Sequence, residues 1–98
     1  MSNDVYSREE LRSLGIMTEE YRYNLNPGRY LATLDIKAEG HQGTLRLFFT
    51  FSNGAKVIAP VYWWQRYLGF YEIPCGSKLM LTYEEYPRGT FLTGAELL

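Results

Sequence analysis

Ninety-eight residues, 46% hydrophobic and 21% charged, suffice for one self-supporting core and exclude a disordered chain. Ten basic against eleven acidic side chains leave a net charge of −1, so no bulk field draws a phosphate backbone or an anionic membrane to the protein. Cys75 is the sole cysteine, which excludes an internal disulfide framework and a cysteine-rich zinc site, and with neither a signal-like start nor a long apolar run it leads to the expectation of a soluble, cytoplasmic protein.

Residues 1–28 read as an N-terminal helical arm and residues 29–98 as a small β-barrel domain. In the arm, Ser7 and Glu10 form a capping box ahead of Leu11 and Leu14, which predicts a helix near 8–14 closed by Gly15. Thr18-Glu19-Glu20 can cap a further turn, and Asn24-Leu25-Asn26-Pro27-Gly28 stops any helix.

From Arg29 the period becomes two. Tyr30, Ala32, Leu34 and Ile36 share one face, with Thr33, Asp35 and Lys37 on the other. After the turn at Gly40-His41-Gln42-Gly43, Leu45, Leu47, Phe49 and Phe51 point inward and Arg46, Phe48 and Thr50 outward. Asn53-Gly54 predicts a two-residue hairpin with positive φ at both positions, leading into a strand over 56–61. The stretch Tyr62-Trp63-Trp64-Gln65-Arg66-Tyr67-Leu68-Gly69-Phe70-Tyr71 holds six aromatic residues and reads as a short helical connection closed by Gly69. A turn at Pro74-Cys75-Gly76, a strand with Leu79, Leu81 and Tyr83 inward, a loop through Pro87-Arg88-Gly89 and a last strand over 90–93 complete the chain.

The fold class is therefore mainly β: a small five-stranded, partly open barrel of the OB type with a helical connection between its third and fourth strands and a short N-terminal helix. An SH3-like barrel is the nearest alternative, and a curved sheet packed on the N-terminal helix is a third.

Nothing in the chain assembles chemistry. His41 is the sole histidine and lies in a turn, Cys75 has no base near it in sequence, and the carboxylate pairs Glu9-Glu10, Glu19-Glu20 and Glu84-Glu85 diverge in direction on either periodicity. No metal-ligand spacing or phosphate loop occurs, so no enzyme activity, cofactor or metal is expected. Binding is the expected role. In the aromatic stretch, Trp63, Tyr67 and Phe70 fall near one helical face and read as a barrel plug, while Trp64, Leu68 and Tyr71 fall on another. Trp64, Arg66 and Tyr71 then form the candidate patch for an unidentified protein partner or for self-association, since Trp, Tyr and Arg are the commonest interface hot spots. The alternative is single-stranded nucleic acid on the barrel face carrying Lys37, Arg46, Phe48 and Lys56, unless the N-terminal helix or the 62–71 segment covers Phe48.

Overall fold

The computed structural model describes residues 5–62, 65 and 68–98. Its elements are β1 (Val5–Tyr6), α1 (Arg8–Ser13), β2 (Arg22–Tyr23), β3 (Gly28–Glu39), a 3-10 turn (His41–Gly43), β4 (Leu45–Phe51), β5 (Lys56–Val61), β6 (Lys78–Tyr86) and β7 (Gly89–Leu97). The strands form one seven-stranded mixed sheet in the order β2-β5-β4-β3-β6-β7, with β1 added to β3. The sheet is open, so the expectation of a five-stranded barrel is corrected on both counts. The arm contributes the two additional strands, each by pairing in parallel with a strand of the body.

α1 forms where the capping box predicts it. The Ser7 hydroxyl accepts from Glu10 N at 3.1 Å, and Ser7 N donates back to the Glu10 carboxylate at 2.8 Å, so two otherwise unpaired amides are satisfied. Leu11 is the side chain it buries. Gly15, at φ +70, takes the left-handed conformation that ends the helix cheaply.

β3 organises the sheet because both of its edges are used. One edge pairs with β4 over most of its length; the other pairs with β6 through residues 28–33 and then with β1 at Lys37 and Ala38. Between Leu34 and Ile36 the β3–β4 register slips by one residue, leaving Asp35 as a bulge. The slip reverses the pleat. Ala32 and Leu34 face the main core, whereas beyond the bulge Lys37 turns inward and Ile36 and Ala38 turn outward. The expected common face for Ile36 and Leu34 is therefore wrong, as is an outward Lys37; a strict period of two does not survive an inserted residue.

Two cores follow from that reversal. The larger lies on the concave face, where Leu34, Leu47, Phe49, Leu79 and Leu81 are fully buried and Phe70 meets Phe49 edge-on at 5.9 Å. On the other face Ile36, Phe48 and Ile58 stand directly opposite one another across β3, β4 and β5. Such an apolar row needs cover, and Leu11, Ile16 and Tyr21 of the arm supply it, with Phe48 left 1% exposed.

The hairpin between β4 and β5 has a longer loop than expected. Phe51 N bonds Ala55 O at 2.8 Å, Asn53 Oδ1 accepts from Ala55 N at 2.9 Å, and Gly54 alone in this loop takes positive φ. The last two strands run past their expected ends, because each supplies the other's ladder from Leu79–Leu97 to Tyr86–Gly89. Of the expected helical connection, residues 63, 64, 66 and 67 lie outside the described residues; among the others, Gln65 N bonds Tyr62 O at 2.8 Å and Gly69 has φ +71.

The second core carries a testable energetic weight. Phe48→Ala is expected to lower stability by about 3–5 kcal/mol, the cost of deleting a buried ring beneath a partly collapsible cover, measured by the shift of the denaturant midpoint. The loss of amide protection should be greatest in β1, α1 and β2.

Candidate functional site

Several exposed apolar side chains, Tyr23, Leu25, Tyr62 and Tyr86, lie where the sheet fails to close. β3, β5 and β7 all run in one direction, since β4 and β6 are each antiparallel to their neighbours. β5 and β7 approach within 8 Å between Cα atoms but form no ladder. Side chains bridge this seam instead: Thr90 Oγ1 donates to Leu25 O at 3.1 Å, and Gln65 Nε2 donates to Leu92 O at 2.7 Å.

Gln65 is buried in a site where an amide must find partners, and both ends of the side chain do so. Its Oε1 accepts from Tyr62 N at 3.1 Å while Nε2 holds β7. The result sets Tyr62 beside Phe91. Together with Tyr86, Arg88 and Glu84 they line a groove of about 870 Å³, and a smaller hollow of about 300 Å³ continues it past Phe91 and Arg88 to Tyr23 and Leu25. Tyr23, Leu25 and Tyr86 are exposed, so the rim is apolar and open.

Polar groups in the groove are sparse and oriented. The Glu84 carboxylate accepts from Thr93 Oγ1 at 2.8 Å and from Tyr86 Oη at 3.4 Å, which steadies the Tyr86 ring 6.1 Å from Phe91. Arg88, at the tip between β6 and β7, has no ion pair among the described residues. The arrangement can grip apolar and aromatic groups and offer one guanidinium, while the Glu84 carboxylate is engaged by the Thr93 and Tyr86 hydroxyls. Among the described residues no three His, Cys, Asp or Glu side chains gather to hold a metal, and no helix is long and apolar enough to cross a membrane.

The residues singled out from the sequence are dispersed. Trp64 and Arg66 lie outside the described residues, as do Trp63 and Tyr67. Tyr71 is exposed and shares with Tyr62 a further hollow of about 320 Å³ next to the main groove. Leu68, expected on the same outward face as Tyr71, is buried with Phe70 in the main core, because the 68–73 segment turns too tightly to keep a helical face.

Lys37, Arg46, Phe48 and Lys56 do not share one open face. Lys37 is buried on the concave side, where its Nζ donates to the carbonyls of Ile73 at 2.7 Å, Phe70 at 3.3 Å and Tyr71 at 3.4 Å. It clamps the turn that carries Tyr71. A buried ammonium is tolerated there because three carbonyl dipoles replace its water. Phe48 lies under Tyr21, at 5.0 Å and 78° between rings, with the Arg46 guanidinium 5.8 Å from its centre. Burial, and next the charge of Arg8, push the Arg46 guanidinium below its ordinary value. Lys56 is at the rim, 5.2 Å from the Tyr21 ring and 3.8 Å from Glu20.

Sequence periodicity missed Gln65, Tyr86, Arg88 and Phe91. The available signal was Tyr86-Pro87-Arg88-Gly89-Thr90-Phe91, a tight turn with a ring on either side, which places two aromatic residues near each other on one hairpin.

Two outcomes test this geometry. Lys37→Met keeps the apolar stem but strands three carbonyls, so it should cost about 2–3 kcal/mol in a denaturant titration and release the 70–73 amides to hydrogen exchange. The Tyr21 phenol is pushed up to about 12, first by burial and then by its hydrogen bond to Asp35 and the charges of Asp35 and Glu20. Because the folded form holds this proton more tightly than the unfolded chain, its stabilisation is complete below pH 10 and disappears as pH rises toward about 12. Stability measured across that window should fall less steeply in Tyr21→Phe than in the wild type. Comparison with known proteins found no matching family, no matching curated protein and no matching solved structure.

Proposed function

We propose that the chain is a non-enzymatic binding module that engages a protein, either a foreign partner or a second copy, through the aromatic groove at the β5–β7 seam. One observation carries this reading: Tyr23 and Leu25 of the arm, Tyr62 of the connection after β5, and Tyr86 and Phe91 of the β6–β7 hairpin converge on one continuous groove beside Arg88, which has no ion pair among the described residues. Tyrosine and arginine around an apolar floor are the composition of interface centres, where large rings give contact area at a small entropic cost. Tyr71 extends the same surface past Tyr62. Trp64 and Arg66 remain part of the proposal by their place in the sequence between these tyrosines.

Single-stranded nucleic acid is a second reading, favoured by strand order. The run β5-β4-β3-β6-β7, with β5 and β7 in the same direction, is that of an OB-type barrel before its last pairing. The binding platform of such barrels includes the face of β4 and β5, where Arg46, Phe48 and Lys56 lie.

Tyr62→Ser combined with Tyr86→Ser tests the first reading. The wild type should self-associate in sedimentation experiments or retain a partner in an affinity capture, and the double variant should lose that binding at least about tenfold with an unchanged circular dichroism spectrum. Binding that survives both substitutions removes the groove from consideration.

A further inference from the structure

We propose that the outer face around Phe48, Asp35 and Lys56 is a binding site for single-stranded nucleic acid, held shut by Glu20 and Tyr21 of the N-terminal arm. The proposal rests on the second reading above and concerns a different face from the seam groove.

The arm presents to this face the three kinds of group that a nucleotide would present. The Tyr21 ring lies against Phe48, its hydroxyl donates to Asp35 Oδ2 at 3.0 Å, and the Glu20 carboxylate stands 3.8 Å from Lys56 Nζ. A base offers a flat ring and N–H donors at its edge, and its phosphate offers the anion. Asp35 is already oriented for such a donor, because Thr50 Oγ1 holds the same carboxylate oxygen at 2.6 Å.

Arg46, beside the Phe48 ring, is the second cation that this face offers next to Lys56. Its Nε donates to Glu39 O at 2.9 Å, and it has no ion pair among the described residues. A phosphate would give Arg46 and Lys56 a counter-charge once the arm, and Glu20 with it, has lifted.

The attachment is also light. Two ladders of two residue pairs each, Val5–Lys37 with Tyr6–Ala38 and Arg22–Val57 with Tyr23–Ile58, secure the strands of the arm, and α1 between them has six residues. β2 lies on β5 in the direction that β7 also follows. When β2 lifts, β7 can take the vacated edge of β5, so opening the face and closing the sheet become one transition between two packed states.

The test is fluorescence anisotropy with the full chain and a labelled, mixed-sequence DNA strand of about twelve nucleotides, a length within the usual range of one such platform. Leu11→Ala loosens the arm without touching the face itself. It should bind at least about tenfold more tightly than the wild type, as expected when the competent state becomes more populated. The gain should vanish when Phe48→Leu or Lys56→Gln is added. Glu20→Gln, a surface change that leaves every core contact in place, should give a smaller gain of about threefold and shows the effect even where Leu11→Ala fails to fold.

Hydrogen exchange in parallel reports whether the arm has been released. An arm that loses protection with no gain in affinity overturns the site, as does a gain that persists without the Phe48 ring. Wild-type binding as tight as that of both arm variants would leave the nucleic-acid reading standing and remove the arm's role. No binding by any variant removes both. If a peptide of residues 16–23 binds Leu11→Ala and the DNA strand does not, the face takes protein and the ligand class proposed is wrong.

Discussion

Asp35 is one residue more than β3 needs to stay in step with β4, and the pleat reverses behind it. That reversal sends Lys37 into the concave core and turns Ile36 and Ala38 outward beside Phe48 and Ile58. A strand that faces one core for its first half and another for its second half cannot be covered by a single layer. The arm is the second layer, and its cover of Phe48 follows from the same inserted residue. So does the clamp that Lys37 places on the carbonyls of Phe70, Tyr71 and Ile73.

The edges of the sheet show how the remaining surface is used. A strand edge left bare invites uncontrolled pairing, and β5 avoids this by taking β2 along part of its length. The edge of β7 away from β6 is held by the Gln65 side chain and by the bond from its own Thr90 hydroxyl to Leu25 O instead of a ladder. The seam between them stays open enough to form a groove, with rings from the arm, the connection after β5 and the β6–β7 hairpin along its walls. The arm therefore adjoins both faces proposed for binding, since it pairs with β5 beside the seam and covers Phe48 on the outer side. One face is open in this arrangement, and the other is occupied by the chain itself.

Much of the fold could be read along the chain, and the exceptions have identifiable causes. The capping box placed α1, alternation placed the β4 core residues Leu45, Leu47, Phe49 and Phe51, and turn residues placed the breaks at 40–43 and 87–88. Alternation failed at Lys37 because a bulge adds a residue without a compositional mark. The two-residue reading of Asn53-Gly54 failed because the Asn53 side chain bonds the backbone at Ala55 and stabilises a wider loop. β1 and β2 were invisible, since two-residue strands have no periodicity and exist only where a neighbouring edge receives them.

The candidate site was less legible than the fold. An aromatic-rich stretch drew attention to 62–71, and Tyr62 and Tyr71 do border the surface described here. Their companions Tyr23, Leu25, Tyr86 and Phe91 are distant in sequence and unremarkable one at a time. By itself the sequence determined the mainly β composition, the helix start and the inward set of β4, because each depends on neighbours within a few residues. Only the tertiary structure decided that Phe48 is covered, that Lys37 is internal and that the sheet stays open. Those outcomes depend on strand register and on which edge the arm reaches, and both are set by contacts between residues far apart in the chain.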